Sequence, residues 1–138
     1  MLDDRLKQDC VLLAQSKLNY LLLNKDANFP WVILVPKQEN ISELFELSEA
    51  DQVQLTLETN QIALRLKNAF QADKMNIAAI GNVVNQLHVH VVARFKLDAL
   101  WPKPIWGAIE AKVYEEKQLK NTIELILNAI SDLNFSDP

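Results

Sequence analysis

The chain's only two histidines, His88 and His90, stand two residues apart in the run Gln86-Leu87-His88-Val89-His90-Val91-Val92. On extended backbone successive side chains alternate faces, so Gln86, His88 and His90 share one face while Leu87, Val89 and Val91 share the other. A row of polar side chains just after a glycine, Gly81, forms a set able to grip an anion or present a nucleophile. Neutral imidazole suits the second task because it stays nucleophilic near neutral pH. Two plainer readings stand beside this one. The histidines could be half-exposed strand residues, or they could share a metal ion, although zinc needs about three or more protein ligands and the third would be a carboxylate with no evident place.

Other chemistries are excluded by composition. With two glycines, Gly81 and Gly107, the chain contains no G-x-G-x-x-G fingerprint and no G-x-x-x-x-G-K-[ST] phosphate loop. The single cysteine, Cys10, can form neither an intrachain disulfide nor a Cys-based zinc cluster. Fourteen Lys and Arg against 18 Asp and Glu give a net charge of −4, which argues against a duplex nucleic-acid surface but leaves room for a local nucleotide site. No apolar run approaches the about 18 residues that a membrane span needs. The opening Met1-Leu2-Asp3-Asp4-Arg5 lacks a secretory layout, so a cytoplasmic location is expected.

The elements that must position the histidines are legible as patterns in 138 residues, with 49% hydrophobic content and no internal repeat or linker, which we read as one domain. Leu6, Cys10, Leu13 and Ala14 at helical spacing behind Asp3 and Asp4 predict a helix over 3–16. Apolar runs at 17–23 and 31–35, separated by the turn residues of 24–30, predict an antiparallel pair. Ser48 and Asp51 open a long helix over about 49–71. Strands at 74–80 and 87–95 flank the Gly81-Asn82-Val83-Val84-Asn85 turn, and a C-terminal helix over about 112–133 follows the Pro-rich loop Trp101 to Gly107. Helix, two strands, long helix, two strands, helix is an α+β order with an antiparallel sheet. The acidic cluster Glu43, Glu46, Glu49 and Asp51 reads as a solvated approach to the long helix.

At Gln-Leu-His-Val-His-Val-Val the chain resembles the histidine-triad (HIT) superfamily of nucleotide hydrolases and transferases, whose signature is His-φ-His-φ-His-φ-φ with φ hydrophobic. The likeness runs through Asn76 to Asn85, similar to the family's phosphate loop, and through Asn24 to Pro36, similar to its paired strands ending in proline. It covers residues 18–107 and is near a bacterial group with Gln first and a Trp-Pro-x-Pro-φ-Trp-Gly loop. The resemblance implies a HIT-like antiparallel sheet with one long helix and terminal helices. It also implies that His88 attacks the α-phosphorus of a nucleotide, with its other ring nitrogen held by the carbonyl of Gln86. His90 would contact the phosphate with His88 as the catalytic pair. Asn76, Gly81, Asn82 and Gln86 would complete the phosphate site, and Asn24 and Asp26 the ribose site, although a surface turn accounts for the last two equally well. No cofactor or metal is required by this reading. Two departures argue for slow turnover: Gln86 cannot carry a proton, and Val83 stands where several branches place a hydroxyl residue.

The function expected is a nucleotide-binding hydrolase or nucleotidyl transferase, acting on a purine phosphoramidate or dinucleoside polyphosphate. The alternative is a module that binds or senses nucleotide without chemistry. Excess apolar residues on the long helix, namely Val53, Leu55, Leu57, Ile62, Leu64 and Leu66, point to a homodimer. That helix and the Trp101 to Gly107 loop are expected near its twofold axis.

Overall fold

The computed structural model describes residues 1–138. In chain order the elements are α1 (Asp4–Asp9), β1 (Cys10–Gln15), β2 (Asn19–Asn24), β3 (Trp31–Pro36), a 3-10 turn (Leu44–Glu46), α2 (Glu49–Phe70), β4 (Lys74–Ala78), β5 (Val89–Arg94) and α3 (Glu116–Ala129). The strands form one antiparallel sheet in the order β1-β2-β3-β5-β4. The α+β reading with an antiparallel sheet therefore holds, with one strand more than the sequence patterns showed.

That extra strand is β1, which replaces the second half of the helix expected over 3–16. Its register against β2 shifts between Leu12 and Ala14, a bulge that buries both Leu13 and Ala14. Strict period-two alternation is thereby broken, and spacing that fits a helix is satisfied by pairing with the fully buried Leu21, Leu22 and Leu23 instead. The C-terminal helix is likewise shorter than 112–133. It runs from Glu116 to Ala129, with Glu115 extended before it and Val113 bridging to Asp26.

The two faces of the sheet have different coverings. On one, Leu21, Leu23, Val32, Leu34, Val89 and Val91 pack with Leu55, Ile62 and Leu66 of α2 and Ile126 of α3 in the main core. Ser48 caps α2 through the Asp51 N–H at 3.2 Å, and Gln71 ends it in a left-handed conformation at φ 52°. Glu43 and Glu46 of the acidic cluster close a capping box around the 3-10 turn. On the other face Phe29, Val92 and Ile105 pack together with Trp31, Leu100 and Trp106 against them. The loop from Trp101 to Gly107 thus covers the face opposite α2.

Candidate nucleotide site

His88 immediately precedes β5 and His90 lies within it, beside Ile33 of β3 on one flank and Ala78 of β4 on the other. Both rings are buried, at 7% and 6% exposure, which overturns the reading of ordinary half-exposed strand residues. They meet edge to face with centroids 4.8 Å apart. His88 Nδ1 lies 2.7 Å from the carbonyl oxygen of Gln86. A carbonyl only accepts, so Nδ1–H donates and Nε2 keeps its lone pair.

Around His90 the walls are aromatic. The indole Nε1–H of Trp31 donates to His90 Nδ1 at 3.0 Å, and the Trp106 ring lies 5.4 Å away from the imidazole, tilted by 62°. Burial, reinforced by the neighbouring His88, pushes the His90 pKa down to about 3, so the ring is neutral under ordinary conditions. No three His, Cys, Asp or Glu side chains converge anywhere, so an ion shared by the two histidines would find no third such ligand.

The remaining expected site residues divide. Gly81 adopts φ +70°, where a side chain would be strained even though a Cβ would sit at an ordinary 3.5 Å from the Val84 carbonyl oxygen. Beside it a small cavity of about 120 Å³ is lined by Ile80, Gly81, Leu87 and His88, among others. Asn82 and Val83 are exposed on this loop. Gln86 contributes its backbone to His88, but its side-chain amide is turned to the N-terminal segment. There Oε1 accepts from Asp3 N at 2.8 Å and Nε2 donates to the Met1 carbonyl at 2.9 Å. Asn76 accepts from Arg94 Nη1 at 2.8 Å, which engages its oxygen in the support of the sheet.

Asn24 and Asp26 face a larger cavity, about 550 Å³, whose walls include Trp31, Ile105, Ile109, Val113 and Tyr114. Asn24 Oδ1 accepts from Asp26 N. Oδ1 of Asp26 takes three donors, the N–H and side-chain amide of Asn28 and the N–H of Lys112. These bonds make the 24–28 turn specific, and they pin residues 110–113 over the cavity. Burial raises the pKa of Tyr114 there, despite a bond with Thr122, and the Asp26 charge adds to the rise.

Sequence reasoning passed over Trp31, Ile105 and Tyr114. Trp31 stands one residue out of step with Val32 and two from Ile33, so it shares a face with His90 once the β3–β5 register is known. Before pairing, nothing in its surroundings separates it from an ordinary strand aromatic.

The HIT domain pattern matches residues 5–97. Solved histidine triad proteins from Bradyrhizobium japonicum (39% identity, TM-score 0.92) and Sinorhizobium meliloti (43%, 0.91) each align with 94% of this chain. The alignments cover 97% and 96% of those chains, respectively. One from Marinobacter aquaeolei (37%, 0.93) aligns with 96% of this chain and 97% of its own. Among curated proteins, the AP-4-A phosphorylase of Mycobacterium tuberculosis is 29% identical over 107 residues, covering 73% of this chain and 55% of that protein. This chain therefore spans about half the length of the curated relatives it matches. With the paired strands, the buried His-x-His and the matched pattern agreeing over the same residues, this chain belongs to the HIT domain family.

Proposed function

We propose that this protein is a nucleotidyl hydrolase or transferase that works through a transient nucleotidyl group on His88. Nε2 of His88 attacks the α-phosphorus, and the bond from phosphorus to the leaving group breaks with its electron pair leaving on that group. An acceptor, water or inorganic phosphate, then attacks the same phosphorus. The phosphorus–nitrogen bond breaks, Nε2 regains its lone pair, and the acceptor's proton passes to solvent. The observation that carries this reading is the 2.7 Å bond from His88 Nδ1 to the Gln86 carbonyl, which aims a free lone pair from a buried ring. Gln in place of a histidine costs nothing at this step, because the bond is made by backbone.

In this reading the nucleoside occupies the 550 Å³ cavity, with the ribose hydroxyls against Asn24 and the carboxylate oxygen of Asp26 that its three donors leave free. The Gly81 loop and Asn82 face the phosphates. Val83 has no proton for a departing amine, which favours a phosphate leaving group that departs as a stable anion. A dinucleoside polyphosphate meets that need, and the AP-4-A phosphorylase relative supports the same class. The second reading, binding without turnover, rests on the same Val83 and on the Gln86 amide being held by the N-terminal segment.

Incubation with diadenosine polyphosphates and with adenosine phosphoramidate, each with and without inorganic phosphate, separates the two. Mass analysis of the quenched protein should show a nucleotidyl adduct on the peptide containing His88, and His88→Ala should abolish both adduct and product. Nucleotide binding with neither adduct nor product in the wild-type protein would leave the binding module standing.

A further inference from the structure

We propose that Trp31 is a positioning residue that fixes His90 in the tautomer bearing its proton on Nε2, so that this ring can act only as a hydrogen-bond donor toward the phosphate. Trp31 opens β3 opposite Val92, and its side chain reaches across to His90, whose own partner on β3 is Ile33. The contact is Nε1 to Nδ1 at 3.0 Å, with the two rings 5.6 Å apart and tilted by 53°. An indole nitrogen is a donor with no acceptor capacity. The imidazole nitrogen facing it must therefore hold a lone pair, and the single proton of the neutral ring is left on the far nitrogen.

The consequence is a division of labour between two identical side chains. His88 is held with its proton on Nδ1 by a carbonyl acceptor, which frees the Nε2 lone pair to attack. His90, two residues on with its ring 4.8 Å away, is held in the opposite tautomer by an indole donor, which leaves an N–H directed away from Trp31. Protonating Nδ1 of His90 would set its hydrogen against the indole hydrogen, so the same bond opposes the imidazolium. Burial and the proximity of His88 act in that direction too. Trp106, edge-on to both His90 and Trp31, limits rotation of either ring out of the pair. A neutral donor of fixed direction stabilises charge as it develops on phosphoryl oxygens without needing to reorganise.

The catalytic consequence rests on the nucleotidyl-transfer reading, whereas the tautomer does not, and the test keeps them apart. In the ¹⁵N-labelled wild-type protein, long-range nitrogen–proton correlation spectra should show His90 unprotonated at Nδ1 and protonated at Nε2. A nitrogen–nitrogen coupling should link Trp31 Nε1 with His90 Nδ1. His88 should show the reverse tautomer. A His90 protonated at Nδ1 in the folded protein, or a missing coupling, overturns the proposal even if the protein turns nucleotide over. Trp31→Phe keeps an aromatic ring but removes the N–H donor together with the five-membered ring that carries it. It should release His90 from its single tautomer and lower kcat about tenfold or more. A variant that keeps both the wild-type tautomer and the wild-type kcat also overturns it. Should Trp31→Phe not fold, the wild-type coupling decides; should the wild-type protein show no turnover, the transfer reading fails and the tautomer result still stands or falls alone.

Discussion

His90 is a group whose folded-state pKa, about 3, lies well below the value near 6.5 of an unfolded histidine. Below pH 6.5 the unfolded chain binds a proton that the native ring refuses. The stability this group contributes is therefore complete above that pH and is lost as the pH falls toward 3, at about 1.4 kcal/mol per pH unit. Urea titrations between pH 7 and 4 should show that slope, and His90→Asn should flatten it by about one proton. An unchanged slope would mean the ring is not buried in its neutral form. Asp98 acts in a more acidic window. Burial alone would raise its carboxyl, but the bond from Arg94 and the N–H groups of Phe95 and Leu100 outweigh it and hold the pKa at about 2. Its contribution is present above the ordinary carboxylate value and fades as the pH drops toward 2, so the two groups separate experimentally.

Segments beyond the sheet, rather than its strands, close the site. Arg94 ends β5 fully buried, forked onto Asp98 at 2.8 and 3.1 Å, with the rings of Phe29 and Trp101 within 6 Å of its guanidinium. Asp98 also accepts from the N–H groups of Leu100 and Trp101, which starts the loop that carries Trp106 over His90. Asp98→Ala strands a buried guanidinium and should cost about 3–5 kcal/mol in chemical denaturation; a loss below about 1 kcal/mol would show that the pair is not what holds the loop. Farther along, residues 111–113 form a wall of the cavity and hang on Asp26 through Lys112 and Val113. Asp26→Ala should speed hydrogen exchange at the Lys112 amide and weaken binding of AMP about tenfold or more, while inorganic phosphate binding stays unchanged. Equal loss for both ligands would place Asp26 in the phosphate site instead.

At the level of the whole molecule, the sheet has two edges with different fates. The β1 edge is covered where Gln15 and Ser136 exchange two backbone bonds of 2.9 Å. β4 offers an open edge carrying Ile77 at 47% exposure, and α2 next to it shows Val53, Leu57 and Leu64 at 60%, 51% and 58%. Open edges and apolar helix faces invite pairing, and a second copy of the same chain satisfies both. The expected state is a homodimer through α2 and β4, with twice the chain mass by light scattering at low micromolar concentration. Leu57→Glu should reduce it to the monomer without lowering the denaturation midpoint of the monomeric unit, since Leu57 is outside its own core. A monomeric wild-type protein would refute the assembly.

Amphipathic patterning and turn chemistry were enough to place α2 and β2 to β5 in their chain order, because those signals are local: a cap at Ser48, Asn and Pro between β2 and β3, alternation through His88 and His90. The same alternation put Gln86, His88 and His90 on one face, since residues two positions apart in the chain stay near each other whatever the rest of the chain does, and the bond from His88 to the Gln86 carbonyl is the one the family resemblance implied. Everything that depends on which strand lies beside which was hidden. The bulge at Leu13 turned an apparent helix into β1, the Gln86 side chain left the site for a segment 83 residues earlier, and Asn76 was drawn to Arg94. Trp31 acquired its hydrogen bond to His90 across 59 positions of sequence. Those contacts arise only when β3 and β5 pair, because a side chain's partner at such separation is set by strand register and not by its neighbours in the chain.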